Sequence, residues 1–216
     1  MRFPGCEFSL KAAHMTGRES SLKFLAGRLS LDFVNSVPAG AELSWERLIS
    51  FLEAMRIVSH ERGRELLALN RSDPQSADAL LRKAQRLAWA ARKAFEALVE
   101  KQKLAREWIE PVNETLRVTE GHDELVSANG GWQMEFMARE GGLEWLLAAV
   151  ARSAAEIIAE GARAPLRVCA NPNCGLLFYD TSRTRKRRWC SMAVCGNRSK
   201  VAAFARRHVS VRRATA

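Results

Sequence analysis

The strongest constraint on how this chain can fold is a cluster of cysteines in residues 169–198, CANPNCGLLFYDTSRTRKRRWCSMAVCGNR. Cys169 and Cys174 enclose four residues, Cys190 and Cys195 enclose another four, and 15 residues separate the two pairs. Two short-range pairs at this separation are typical of a tetrahedral four-thiolate site, in which each pair binds from a tight turn. Zinc is the first choice of metal, and iron held by four thiolates is the chemical alternative.

Whether the clustered cysteines bind a metal or form disulfides depends on the cellular compartment. No apolar run approaches the roughly 20 residues needed to cross a bilayer, and the N-terminal segment lacks the apolar core of a signal peptide. We therefore expect a cytoplasmic protein, in which paired thiols are metal ligands rather than disulfides. Four thiolates leave no open coordination position, so the site is predicted to be structural, with one zinc per chain. Cys6 stands apart from the cluster and receives no role.

Positive charge is concentrated in the same part of the chain. The net charge is +10, and residues 165–216 hold 12 of the 34 Lys and Arg residues but only one of the 24 acids, Asp180. The rest of the chain is therefore close to neutral. A basic module on a neutral body favours a polyanionic partner that binds at this module. The alternative is a solvated face or tail, although disordered tails rarely carry so many cysteines and apolar residues.

The candidate phosphate contacts fall into two groups of cations, on the loop between the cysteine pairs and on a helix predicted after Cys195. Arginine can also bind guanine bidentately. Some of the charge can offset the negative charge of zinc bound by four thiolates, and Tyr179 and Trp189 can serve either as base-stacking surfaces or as core. The predicted nucleic-acid-binding residues are Arg183, Arg185, Lys186, Arg187, Arg188, Arg198, Lys200, Arg206 and Arg207.

The body that precedes this module is predicted to be mainly helical. Ser44 and Asp73 are suitable N-caps, the latter followed by Pro74 at the first helical position, and Gly161 is a natural stop. Asn129-Gly130 between two alternating runs predicts a β-hairpin over 122–137. The pattern of apolar residues predicts helices at 44–58, 60–69, 74–102, 105–117 and 142–160.

Three expectations concern shorter segments. The alternation of Leu29, Leu31 and Phe33 within 24–37 predicts a short strand, or a strand entering a helix. In the C-terminal module, residues 176–179 and 188–189 are expected to pair as two strands. The helix after Cys195 is expected to pack its apolar face on the zinc core through the following residues: Val201, Phe204, Ala205 and His208.

Two motifs resemble a known family. Residues 169–198, with RRWCSM at 187–192 and CGNR at 195–198, closely resemble the CGNR zinc finger of bacterial proteins. There the finger follows a helical ABATE domain, proposed to regulate transcription under stress, whose LCLDFVNT-like signature is similar to LSLDFVNS at 29–36. Ser30 and Ser36 replace the common cysteine and threonine. The resemblance implies Cys169, Cys174, Cys190 and Cys195 as zinc ligands and DNA binding through the finger.

The resemblance assigns no firm role to two signature residues, Asp32 and Asn35. Asp32 is expected to cap a turn or to pair with an arginine such as Arg28. Catalysis is not indicated, because no metalloprotease helix, phosphate loop, dinucleotide fingerprint or nucleophile elbow occurs and the four histidines are scattered. No catalytic residue is predicted.

The predicted architecture is a mainly α protein with a small β-hairpin and a C-terminal treble-clef or ribbon-like zinc finger with a terminal helix. The predicted function is a DNA-binding transcription regulator whose helical body senses a small molecule or a protein. The alternatives are an RNA-binding protein, a module binding acidic protein surfaces, and an enzyme with its site in the helical body and the finger used only for targeting. A homodimer would supplement one small finger. The predicted segments are a poorly ordered extension at 1–23, a helical domain at 24–161, a linker at 162–168, the finger at 169–209 and a basic tail at 210–216.

Overall fold

The computed structural model describes residues 25–37, 40–117, 121–128, 131–138, 142–202 and 204–205. The predicted N-terminal extension and basic tail, together with Cys6, Arg206, Arg207 and His208, lie outside these residues. The main elements are the helices α1 Leu29–Ser36, α2 Trp45–Ala54, α3 His60–Ser72, α4 Pro74–Val99, α5 Arg106–Arg117 and α6 Ala148–Glu160, and the strands β1 Gly121–Ala128, β2 Gly131–Ala138, β3 Leu166–Val168 and β4 Leu177–Tyr179. The prediction of a mainly helical protein with one hairpin and a C-terminal cysteine cluster is confirmed.

Helix α1 occupies the segment for which the sequence predicts a short strand or a strand entering a helix, so the predicted strand is wrong and the helix of the second alternative is present. Leu31, Phe33 and Val34 are fully buried, and so is Ser30 on the remaining face. The helix packs against α4, α6 and β4. A helix covered on nearly every side has no polar face to reveal a 3.6-residue period, and three alternating apolar residues then imitate a strand.

The predicted N-caps mark the starts of α2 and α4 correctly. The Ser44 hydroxyl accepts a hydrogen bond from the backbone N–H of Arg47 at 3.2 Å, and an Asp73 carboxylate oxygen accepts one from Ser76 at 3.1 Å. Helix α2 ends at Ala54, before the predicted Val58. The cause is local, because Arg56 adopts the left-handed conformation with φ +57° and stops the helix.

The long helix α4 forms the centre of the body and contacts α1, α2, α3, α5 and α6. Its predicted apolar stripe is buried at Leu80, Ala84, Leu87, Ala91 and Ala94. Residues 142–160 begin with a 3-10 turn at Glu144–Leu147 and continue as α6. Gly161 follows with φ +57°, a conformation that favours glycine, as the sequence predicts.

The predicted hairpin is present as β1 and β2, which pair antiparallel with Leu125 opposite Met134. Its connecting residues, 129–130, lie outside the described residues. Among the described residues, no helix has the length and apolar character needed to cross a membrane.

The strand pairing of the C-terminal module differs from the prediction. Strand β4 pairs antiparallel with β3, with Val168 opposite Leu177, and not with residues 188–189. Arg188 contributes only its carbonyl oxygen, which accepts a hydrogen bond from Ala170 at 2.9 Å. Residues 161–163 form a 3-10 turn and β3 begins at Leu166, so much of the segment predicted as a linker carries regular structure.

Asp32 fixes the turn that leads into α1. One carboxylate oxygen accepts a hydrogen bond from the backbone N–H of Ala26 at 3.0 Å, as the turn-capping prediction requires. The alternative pairing with Arg28 is wrong, because Arg28 pairs with Glu160 at 3.7 Å. Burial raises the pKa of Asp32 to about 6, although hydrogen bonds from Ala26 and Leu25 act in the opposite direction.

Asp32→Asn is therefore expected to stabilise the protein above pH 6. The raised pKa means that the native state loses stability as the wild-type carboxyl ionises between about pH 4 and pH 6, by up to about 3 kcal/mol. Asparagine keeps an oxygen for Ala26 and carries no charge. Melting temperatures of both proteins across pH 3 to 8 check this, and a difference that does not grow from pH 4 to pH 6 contradicts it.

Candidate metal centre

The four clustered cysteines converge on one point. The Sγ atoms of Cys169, Cys174, Cys190 and Cys195 all lie within 4.8 Å of one another. The Cys174 and Cys190 sulfurs are 3.7 Å apart, and those of Cys190 and Cys195 are 3.6 Å apart. A tetrahedron with Zn–S bonds of about 2.3 Å has edges of about 3.8 Å. The thiols thus fit one structural zinc.

The first cysteine pair is held by a tight turn. Cys169 follows β3 directly, and the backbone N–H of Cys174 donates to the carbonyl of Asn171 at 2.9 Å. The Asn171 side chain closes the turn by accepting from the N–H of Asn173 at 3.1 Å. Gly175 then takes φ +63° and redirects the chain into β4. These contacts turn both sulfurs toward the same side.

The second pair lies at the start of the terminal helix. Ser191 caps a π-helical turn at Met192–Gly196 by accepting from the N–H of Val194 at 3.3 Å. Helical backbone continues through 197–202. A Cβ on Gly196 would lie 2.7 Å from the Met192 sulfur and 3.3 Å from the Trp189 ring, so the glycine permits this close packing.

The surroundings of the sulfurs explain why an ion is needed. Burial raises the pKa of Cys190 and of Cys174. Burial also acts to raise the pKa of Cys195, but hydrogen bonds to its sulfur, including one from Asn171 Nδ2 at 3.4 Å, lower it overall. A divalent cation would stabilise all four thiolates together. With no open coordination position, the ion would serve as a cross-link rather than as a catalyst.

The loop between the cysteine pairs, residues 180–188, is ordered by Asp180. Its carboxylate accepts from the N–H and hydroxyl of Ser182 at 3.0 and 2.6 Å, accepts from the N–H of Arg187 at 2.8 Å, and pairs with Arg167 at 3.2 Å. Burial raises the pKa of Asp180, but the hydrogen bonds and the Arg167 charge outweigh it and lower the pKa overall. The single acid of the basic module is thus buried and fully bonded.

Most of the predicted cations of this loop face solvent, with one exception. The guanidinium of Arg187 donates to the carbonyls of Trp189, at 2.8 Å, and Cys190, and it lies 4.7 Å from the centre of the Phe178 ring. Its role as a nucleic-acid contact stays a prediction, but the side chain holds the finger together. The exposed members are Arg183, Arg185, Lys186 and Arg188, with Arg198 and Lys200 on the terminal helix.

Two family models match the chain in the order that the sequence predicts. Residues 27–161 match the ABATE model, described as "Putative stress-induced transcription regulator", and residues 166–208 match the CGNR zinc finger. The first match spans more than half of the chain. The protein belongs to the ABATE family. No curated protein matches it, and neither family description is enzymatic.

Two aromatic residues of this ABATE protein contribute to its structure. The hydroxyl of Tyr179 donates to Glu160 at 2.5 Å, and the Arg28 guanidinium lies 4.5 Å from the centre of its ring. Trp189 is half-buried, with Arg188 5.3 Å from the centre of its ring. Tyr179 is thus half-buried at the contact between finger and body.

The terminal helix differs from its prediction. Val201 and Phe204 are 68% and 58% exposed, and Ala205 is exposed as well. The expectation that these residues cover the zinc core is wrong. The core is instead filled from the other side, by Leu177 and Phe178 of β4, which lie in the same apolar cluster as Cys169 and Cys190.

Sequence reasoning missed two residues that this ABATE protein uses to build the finger. Sequence reasoning noted Asp180 only as the lone acid of the basic segment, although a single acid between two cysteine pairs and among arginines is itself a signal of a structural role. Asn35 belongs to the family signature and bonds to the finger, donating to the Leu177 carbonyl at 2.8 Å. Asn35 and Leu177 are separated by 142 positions in the sequence, so no local pattern indicates that contact.

Proposed function

We propose that this ABATE protein is a transcription regulator that binds double-stranded DNA through its finger, while its helical body responds to a ligand or protein partner. The observation that carries the proposal is the exposed group of cations on an ordered loop beside the metal centre. A loop whose shape is fixed before binding loses less conformational entropy when it meets a phosphate backbone. The family description supports the regulatory part.

The electrostatics of the finger favour a polyanion. Residues 165–216 contain one acid, Asp180, and its carboxylate is already paired with Arg167 and hydrogen-bonded to the loop. No second acidic side chain of this segment is present to compete with phosphate. The proposed contacts are Arg183, Arg185, Lys186, Arg188, Arg198 and Lys200.

Tyr179 and Trp189, the two rings that the sequence offers for base stacking, are not open enough for it, which favours duplex DNA over unpaired RNA. Recognition of single strands commonly uses aromatic rings on which bases stack. The ring of Tyr179 is covered by Arg28, and its hydroxyl is bonded to Glu160. Trp189 has Gly196 and Arg188 as neighbours and is only half exposed. Neither ring forms an open stacking platform, so contacts to a duplex backbone fit the surface better.

Replacing Arg183, Arg185 and Lys186 together with alanine is expected to weaken duplex binding without loss of zinc. Removal of three phosphate contacts should reduce the slope of log K against log salt concentration by about 2.7. Fluorescence anisotropy with a labelled duplex across a salt series measures this slope. Competition with single strands and tRNA tests whether the duplex is preferred.

The matched control replaces three exposed cations of the body, Arg64, Arg71 and Lys103, with alanine. It changes the net charge equally but leaves the finger intact. An equal loss of slope in both variants means that binding reflects net charge alone. A wild-type slope in the loop variant, or equal binding of all three nucleic acids, refutes the proposal.

A further inference from the structure

We propose that the zinc finger folds against helix α1 and the turn at residues 25–28, and that Asn35 couples zinc binding to the order of α1. The finger is then not an independent domain on a linker. Loss of zinc then lowers the order of α1, and damage to α1 weakens zinc binding. The proposal concerns zinc and stability, so it does not depend on DNA binding.

Asn35 acts as a substitute for a third strand beside β4. Its Nδ2 donates to the carbonyl of Leu177 at 2.8 Å, and its Oδ1 accepts from the N–H of the same residue at 3.1 Å. A primary amide can satisfy both polar groups of one peptide residue in this way. The other edge of β4 pairs with β3. Strand β4 is therefore bonded on one side to the finger and on the other to the body.

The turn at 25–28 extends the same edge by one more contact. The backbone N–H of Tyr179 donates to the carbonyl of Ala26 at 2.7 Å. Gly27, with φ +79°, lies so near that a Cβ would be 3.5 Å from the Tyr179 carbonyl oxygen. Asp32 holds the turn from inside α1 through the N–H of Ala26. The signature segment thus positions both contacts to this edge of β4, one through the Asn35 side chain and one through the Ala26 carbonyl that Asp32 holds in place.

Side chains close the contact at the end of α6. The hydroxyl of Tyr179 donates to one oxygen of Glu160 at 2.5 Å, and Arg28 approaches the other at 3.7 Å. The Arg28 guanidinium also covers the Tyr179 ring. One aromatic residue of the finger is therefore fixed by two residues of the body.

The path from this contact to the metal is short. The residue before Leu177, Leu176, accepts a hydrogen bond from the N–H of Cys169 at 2.9 Å. Leu177, Phe178 and three of the thiols share one buried cluster with the core of α1. Zinc fixes the cysteine turns, the turns fix β4, and β4 satisfies Asn35. By linkage, any effect of zinc on α1 equals the effect of α1 on zinc affinity.

Hydrogen exchange of the wild-type chain provides the first test. With zinc removed by a chelator under reducing conditions, amides of α1 should exchange at least tenfold faster. Amides of α3, which packs on α2 and α4, should change little and serve as the internal control. Unchanged α1 protection after complete zinc removal overturns the proposal.

The reciprocal test uses Asn35→Ala, with Asn197→Ala as the matched control. Asn197 bonds only locally, through its side chain to the Ala193 carbonyl at 3.2 Å. Loss of the two Asn35 hydrogen bonds should speed zinc release to a chelator by about tenfold or more. Asn197→Ala should release zinc at the wild-type rate.

Two outcomes of the reciprocal test overturn the proposal: a wild-type rate of zinc release in Asn35→Ala, or equal acceleration in both variants. Circular dichroism verifies that Asn35→Ala retains the helical body. If that variant does not fold, Tyr179→Phe replaces it, since it removes only the hydroxyl contact with Glu160. A smaller acceleration of zinc release is then expected, and a wild-type rate of release in Tyr179→Phe contradicts the coupling.

Discussion

Cys190→Ser is expected to abolish stable zinc binding and to unfold residues 166–205. The Cys190 sulfur lies 3.7 and 3.6 Å from those of Cys174 and Cys195, so its loss opens the tetrahedron. A serine hydroxyl stays protonated at neutral pH and is a poor substitute for thiolate. Structural zinc contributes about 10–16 kcal/mol of apparent binding free energy in small fingers. The short strands β3 and β4 cannot replace a contribution of that size.

Elemental analysis and circular dichroism measure the effect. Wild-type protein should contain one zinc per chain, and Cys190→Ser almost none after dialysis against a weak chelator. Cys6→Ser is the matched control, because Cys6 is the one cysteine of the sequence that lies outside residues 169–198. It should retain both zinc and fold. Full zinc content in Cys190→Ser, or a wild-type spectrum without zinc, contradicts the structural role of the ion.

The melting temperature of the helical body distinguishes an independent finger from one that is coupled to the body. If the finger were independent, Cys190→Ser would leave the melting of α1–α6 unchanged. Because β4 is bonded to Asn35 and Ala26, we expect the melting temperature of the body to fall as well. Loss of zinc without a fall in the melting temperature of the body would refute the coupling between finger and body. The assignment of the metal centre would not be affected.

Local signals explain which parts of the fold could be predicted. Ser44, Asp73 and Gly161 mark helix ends by short-range hydrogen bonds or by a backbone conformation, and the structure places helix ends at all three. The cysteine spacing predicts the metal cluster for the same reason, since each pair closes a turn within a few residues.

Contacts between distant segments explain what could not be predicted. The partner of β4 is β3 and not the nearby residues 188–189, because β4 follows the first cysteine turn back along β3. Helix α1 is buried on nearly all faces, so its sequence lacks the polar face by which an amphipathic helix is recognised. Val201 and Phe204 look like core residues from their spacing, but Leu177 and Phe178 already fill that position. Periodicity shows that a face is apolar and does not show what covers it.

Asp180→Asn is expected to disorder the basic loop while sparing the body. The carboxylate has no exposed surface, and it balances the Arg167 cation while accepting from Ser182 and Arg187. An asparagine of the same shape can keep one acceptor oxygen but points N–H groups at Arg167 or Arg187. Hydrogen bonds to a charged group contribute about 1.5–3 kcal/mol each, while Arg167 is 41% exposed and is solvated when its partner is lost, so we expect a destabilisation of about 3 kcal/mol.

Limited digestion with trypsin reports directly on this loop, because Arg183, Arg185 and Lys186 are cleavage sites on its surface. Cleavage in Asp180→Asn should be at least tenfold faster than in the wild type. Asp78→Asn, an exposed acid of α4, makes the same charge change and should leave the rate unchanged. The lowered pKa of Asp180 keeps its carboxylate charged throughout the neutral and alkaline range in which trypsin works, so the difference between the two proteins should not depend on pH there. Equal cleavage of both variants at neutral pH would show that zinc alone orders the loop. Faster cleavage confined to Asp180→Asn would show that one buried carboxylate fixes the shape of the surface proposed to meet DNA.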